Sequence, residues 1–339
     1  MSHLLEVNNL EVNFKTYGGE VKAVRNVSFH VDKGEIVAIV GESGSGKSVT
    51  VQTLMGLIPT PPGIIKNGEV LFEGIDLLKL SKRAMQKVKG SKISMIFQDP
   101  MTSLNPTMKI GKQIEEGLLV HQNMKKTEAK KRAIEMIRLV GIPNPEERYN
   151  QYPHEFSGGM RQRAMIAIAL ACNPELLIAD EPTTALDVTI QAQVLDLMRD
   201  LKEKTDTAII LITHDLGVVA ETAERVIVMY AGMMVESGTV HELFENPRHP
   251  YTWGLMESIP DHTSSAKERL IPIEGTPPDL FSPPPGCPFA PRCKYAMEVC
   301  LQDMPPAFET ESGHYARCWL NDPRSPKVED LVAAGRETT

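Results

Sequence analysis

The chain has 339 residues, of which 42% are hydrophobic and 24% charged, with a formal net charge of −8 and a pI near 5.7. This length and balance predict an ordinary globular protein of two units and exclude the disordered and fibrous classes. The longest apolar stretch, residues 164–172, is far short of the roughly 20 residues that cross a bilayer, and the net negative field opposes nucleic acid as a partner.

The N-terminal run MSHLLEVNNLEV places Glu6 and Glu11 among alternating apolar residues. It lacks the basic start and long apolar centre of a signal peptide, so a cytosolic location is expected. Alternation over residues 4–14 and 21–31, divided by Gly18-Gly19, predicts two antiparallel strands. Residues 35–40 form a run that is apolar throughout after Glu35, the pattern of a central strand buried on both faces.

That run leads into Gly41-Glu42-Ser43-Gly44-Ser45-Gly46-Lys47-Ser48, followed by Val49 at the start of a predicted helix. The pattern is the phosphate-binding loop in the strand-to-helix context it requires. Glycines let the backbone approach an anion closely, and the helix that follows points its positive end at it. Lys47 supplies an ammonium for the β- and γ-phosphates, and the Ser48 hydroxyl is placed for Mg²⁺. An ordinary glycine turn would not explain the full pattern.

Residues 127–140 carry Ala129, Ala133, Met136, Ile137 and Val140 at helical spacing, with charged residues opposite. Residues 98–164 are therefore expected to form a helical insertion. Residues 176–179 predict another buried strand, ending on the adjacent carboxylates Asp180 and Glu181. Such a pair at a buried strand end requires metal or hydrogen-bond compensation. Asp180 is assigned to Mg²⁺ and Glu181 to orienting and deprotonating the attacking water. His214 ends a third predicted strand, residues 208–213, where open α/β sheets place their ligands, and a γ-phosphate contact is expected of it. By itself it would read as a surface histidine.

Between these elements lies Phe156-Ser157-Gly158-Gly159-Met160-Arg161-Gln162-Arg163, which resembles the signature motif of the ABC ATPases. Gln98 after an apolar strand, Ala185-Leu186-Asp187 after the carboxylates, and His214 complete the resemblance, in the family's order. It implies a P-loop α/β fold with a mostly parallel core sheet, an antiparallel β-subdomain, the helical insertion and a small cysteine-containing C-terminal domain. It also implies a head-to-tail nucleotide sandwich. Ser157, Gly158 and Gly159 of one subunit would close over the γ-phosphate held by Lys47 of the other, a role suited to a helix start that attracts anions. Gln98 would join Ser48 and Asp180 at Mg²⁺, and Asp187 would contribute beside the nucleotide. Tyr17 would stack on adenine, with Phe14 as the competing ring. Met160 departs from the glutamine common in the family.

The segments QDPMTSLNP, HPYTWGLMESIP and GCPFAPRCKYAMEVC narrow the resemblance to the ATPase subunits of bacterial oligopeptide and dipeptide importers. This implies an ATPase at the cytoplasmic face of the membrane, paired with a related second ATPase subunit beneath two permeases. An extracytoplasmic binding protein would deliver the peptide. Two other readings stand beside this one. An importer of the same subfamily could carry nickel or another small solute. A soluble ABC ATPase of DNA repair or translation would carry coiled-coil insertions or a second cassette, and neither is evident here.

The expected division is an ATPase domain over residues 1–258, a C-terminal domain over 259–325 and a tail over 326–339. Seven of the seventeen residues from 272 to 288 are proline, which excludes a regular helix there. Cys287, Cys293, Cys300 and Cys318 follow, with five, six and seventeen residues between them. Four thiolates in a cytosolic chain suit tetrahedral zinc or a [4Fe–4S] cluster, and the ligand count does not choose. The importer resemblance points to the [4Fe–4S] cluster. The plainer reading is four small apolar residues packed in a minor domain, as is assigned to Cys172.

Overall fold

The computed structural model describes residues 3–99, 103–183, 188–258, 273–310 and 313–328. Strand β1 (Leu5–Thr16) turns at Gly19 into β2 (Gly19–Val31), and the two pair antiparallel from Leu5↔Val31 to Thr16↔Gly19. Leu5, Val7, Leu10 and Val12 are fully buried. The predicted alternation is the pleat of a sheet with one face covered, in two stretches joined by an irregularity at Asn9, φ 48°, that keeps Leu10 and Val12 inside. With β4 (Gly63–Phe72) and β5 (Ile75–Asp76) the hairpin makes a four-stranded sheet in the order β2-β1-β4-β5.

The second sheet carries the site. Its parallel part runs β9 (Arg225–Tyr230), β3 (Ile36–Val40), β8 (Ala208–Ile212), β7 (Leu176–Asp180), β6 (Ile93–Ile96). Every residue of β3, β7 and β8 is buried. Period two explains the unbroken apolar runs, because successive residues serve different cores. Leu177, Ala179, Ile209 and Leu211 pack against the helical insertion, whereas Leu176, Ile178, Ile210 and Ile212 pack toward the antiparallel sheet.

The helical region contains Ile110–His121, Lys126–Leu139, Pro145–Arg148 and Gly158–Leu170. In the second of these, Ala129, Ala133, Met136 and Ile137 are all buried, as the helical spacing predicts. The apolar run of residues 164–172 belongs mostly to the helix Gly158–Leu170, whose inner turns are buried on nearly all sides. Among the described residues no helix is long and apolar enough to cross a membrane.

The C-terminal part adds to the same sheet. Strand β10 (Met233–Thr239) lies antiparallel to β9, β12 (Tyr315–Ala316) pairs with β10, and β11 (Phe308–Glu309) pairs with β12. Beneath them Cys287, Phe289, Ala290 and Cys300 share one core with Val226, Val228, Tyr230 and Tyr251. A buried carboxylate joins the two parts. Glu236 accepts from the backbone N–H of Arg248 at 2.6 Å and of His249 at 3.0 Å, and from the Thr252 hydroxyl at 2.5 Å. The His314 ring lies 2.8 Å from it.

Candidate nucleotide site

Strand β3 ends at Val40, and the chain turns through the phosphate-loop residues into the helix Lys47–Leu54. Gly41 has φ 145°, and a Cβ there would stand 2.1 Å from the Met229 carbonyl oxygen. Gly46 has φ 98°, and its Cβ would meet the Ala23 carbonyl at 2.6 Å. Both glycines are therefore demanded by backbone approach as well as by conformation. Nothing comes within 4 Å of a Cβ at Gly44, so that side of the loop is open.

Lys47 is buried and folds back on its own loop. Its Nζ donates to the Gly41 carbonyl at 2.7 Å, the Glu42 carbonyl at 3.0 Å and Ser45 Oγ at 3.4 Å. Burial lowers its pKa, against the opposing pull of Glu181, Asp180 and Glu42.

Asp180 ends β7 at 3% exposure and accepts from Ser48 Oγ at 3.0 Å. Burial raises its pKa, the Ser48 bond lowers it, and the neighbouring Glu181 charge raises it further. Serine hydroxyl and carboxylate are hard oxygen ligands of the kind Mg²⁺ takes, so the pair fits that ion.

Glu181 follows with φ 49°, its N–H donating to the Ile212 carbonyl at 3.0 Å. Gln98 Nε2 donates to Glu181 Oε2 at 2.9 Å, and His214 Nδ1 stands 3.6 Å from Glu181 Oε1. Gln98 from beyond β6 and His214 from beyond β8 thus converge on the carboxylate that follows β7. A cleft of about 340 Å³ runs beside them, lined by Phe14, Ala23, the loop residues Ser43, Gly44, Ser45, Gly46, Lys47, Ser48 and Val49, and by Gln98 and Glu181. Phe14 lines this cleft, whereas Tyr17 is fully exposed at the β1–β2 turn.

Ser157 caps the helix Gly158–Leu170, accepting from the Met160 N–H at 3.3 Å. It is exposed and lies outside the cleft lining, and a Cβ at Gly158 would meet nothing within 4 Å. Arg161 Nε donates to the carbonyls of Pro153 and Phe156, both at 3.0 Å, and Arg163 donates to the Gly141 carbonyl at 2.8 Å. These two basic residues brace neighbouring loops. Gln162, which motif reasoning passed over, donates to the Pro182 carbonyl at 2.6 Å and ties the signature helix to the turn after Glu181. Asp187 lies outside the described residues.

The profile of the family described as ABC transporter matches residues 24–184, and that of the oligopeptide/dipeptide transporter C-terminal region matches residues 235–300. The chain is 64% identical over 329 residues to the oligopeptide transport ATP-binding protein OppD of Bacillus subtilis, covering 97% of this chain and 92% of that one. It is 60% identical to the dipeptide transport ATP-binding protein DppD of Lactococcus lactis, covering 96% and 93%. The chain belongs to the ATP-binding subunits of peptide ABC importers. Among solved structures, a dimeric ATP-binding cassette in a post-hydrolysis state with ADP and Pi matches this subunit with a TM-score of 0.64 at 29% identity, covering 70% of this chain and 98% of that one. The expected fold class holds: an ABC cassette with a mostly parallel core and an antiparallel subdomain.

The iron–sulfur expectation at Cys287, Cys293, Cys300 and Cys318 is corrected by these findings. The relatives are described as peptide-transport ATP-binding proteins, and no cluster figures in their descriptions. In the subunit the four thiols pack around a small apolar space with Phe289 and Trp319. Burial pushes Cys287 and Cys293 up to about 11 and Cys318 higher still. Cys287, Cys300 and Cys318 are buried, as Cys172 is, and Cys293 is partly buried against the same core.

Proposed function

We propose that this subunit hydrolyses ATP to drive uptake of oligopeptides or dipeptides from the cytoplasmic face of the membrane. It pairs with a related second ATPase subunit beneath two permeases, and an extracytoplasmic binding protein supplies the peptide. The observation that carries this reading is the convergence of Gln98, His214 and Glu181 next to the Ser48–Asp180 pair, at the end of the phosphate-binding loop.

Phosphate oxygens replace the carbonyl partners of Lys47, and the open side of the loop at Gly44 admits them. Ser48, Asp180 and Gln98 would hold Mg²⁺, which when bound would neutralise charge on the transferring phosphoryl group. Glu181 orients water and takes its proton, with its carboxylate steered by the Gln98 amide. His214, whose ring is largely exposed, reaches the γ-phosphate. Ser157, Gly158 and Gly159 present an open helix start to the nucleotide on the opposite subunit, and Asp187 contributes at the same interface. Tyr17 closes on adenine from the exposed turn.

The test is reconstitution of the subunit with its partner ATPase, permeases and binding protein in vesicles. ATP-dependent uptake of a labelled tripeptide, abolished by Lys47→Ala, is the expected result. Nickel uptake without peptide uptake would replace the substrate assignment. Robust ATP hydrolysis with no solute moved would remove the transport role.

A further inference from the structure

The phosphate-binding loop contains a carboxylate that hydrolysis does not use. Glu42 follows Gly41 with its side chain 27% exposed, close enough that its charge is felt by Lys47. An unpaired negative charge on this loop would oppose the polyphosphate that the loop binds.

The fold meets it with Arg292, from the C-terminal region 250 residues away. Arg292 Nη1 and Nη2 donate to the two Glu42 carboxylate oxygens at 2.7 and 2.9 Å. Its remaining N–H groups donate to the Tyr230 hydroxyl at 3.2 Å, the Ile273 carbonyl at 3.0 Å and the Glu274 carbonyl at 2.9 Å. All five guanidinium donors are thereby used, and the side chain is 4% exposed. Such a fork is a fixed strut, because no rotation keeps all five bonds.

A second contact holds the backbone. The Glu42 N–H donates at 2.7 Å to the hydroxyl of Tyr251, which is fully buried. This N–H is directed into the C-terminal core and away from the anion cradle. The proline-rich segment then covers the outer side of the loop, with Pro277, Pro278 and Leu280 facing Glu42, Ser43, Gly44 and Ser45 across a small cavity.

We propose that Arg292 is a positioning residue for ATP binding: it neutralises Glu42 and, with Tyr251, sets the outer limb of the phosphate-binding loop from the C-terminal region. The proposal rests on the loop Gly41–Ser48 being the ATP site. It makes the C-terminal region a determinant of nucleotide affinity in its own right.

The experiment measures MgATP affinity with a fluorescent ATP analogue, together with KM and kcat, on the full-length chain and on the assembled complex. Arg292→Ala is expected to weaken binding and raise KM on the order of tenfold, with kcat at saturating ATP within about twofold of the parent. Arg292→Lys, which keeps the charge but loses the fork, should fall between. Adding Glu42→Gln to either variant should recover most of the lost affinity, because the opposing charge is gone. If Arg292→Ala does not fold, the comparison is made between Arg292→Lys and Arg292→Lys/Glu42→Gln. Wild-type affinity in both single variants overturns the proposal. So does a double variant as weak as its single parent, which would reduce Arg292 to a packing role. Lys47→Ala serves as the control: retained ATP binding there would sink the ATP-site reading itself and not the strut.

Discussion

Glu181→Gln isolates the chemical step from nucleotide binding. The substitution keeps side-chain length and volume, and glutamine can still meet the Gln98 amide at 2.9 Å and stand beside His214 at 3.6 Å. The loop that binds phosphates is untouched, because Lys47 takes its partners from Gly41, Glu42 and Ser45. Only the ability to accept the water proton disappears. Removing a positioned general base costs about 10²–10⁴ in rate, or about 3–5 kcal/mol of barrier. By contrast, MgATP affinity should stay within about threefold, since no phosphate donor is lost. The expected phenotype is a subunit that binds MgATP, accumulates in a closed dimer and turns over at least about 10²-fold more slowly than the parent. Single-turnover hydrolysis in the assembled complex, with size-exclusion chromatography in ATP, measures both halves. Near-parental hydrolysis with every intact site carrying the change would refute the base assignment. A hundredfold loss of affinity would refute the separation of binding from chemistry.

Ser157→Arg places bulk at the exposed start of the helix Gly158–Leu170 and should leave this chain's own MgATP binding intact while impairing the site it completes on the other subunit. Loss of binding in the isolated chain would contradict the composite-site reading. His249 makes a prediction for pH. Its burial depresses its pKa from the usual 6.5 to about 4, so between those values the unfolded chain binds a proton that the folded chain refuses. Stability from this group is complete above pH 6.5 and declines as pH falls toward 4, by about 3 kcal/mol in all. His249→Asn keeps an acceptor for the Tyr251 N–H, and urea denaturation should show a flatter stability profile over that window. Parallel profiles for the two proteins would rule the contribution out.

The site could be read from the sequence wherever its chemistry is contiguous. Gly41 to Ser48 requires glycines and a lysine at fixed spacing because one loop wraps one anion, so the physical demand is local. The same holds for Asp180-Glu181 at the end of an apolar run, and for the period-two and helical patterns that became β1, β2 and the helix Lys126–Leu139. Other features were decided by tertiary structure alone. Arg292 and Glu42 are 250 residues apart, and neither lies in a periodic pattern that would announce a partner. Gln162 meets Pro182 only because the helix Gly158–Leu170 packs beside the end of β7. Tyr17 and Phe14 stand three residues apart on one hairpin, yet the path of the turn puts the first in solvent and the second in the cleft wall. The four cysteines show the limit most plainly. Their spacing states which ligands a metal could take, but whether sulfurs face one another as thiolates or pack as neutral core depends on chain paths from β10 to β12. The tertiary structure gathers all four around one small apolar space beside Phe289 and Trp319, which the spacing alone does not show.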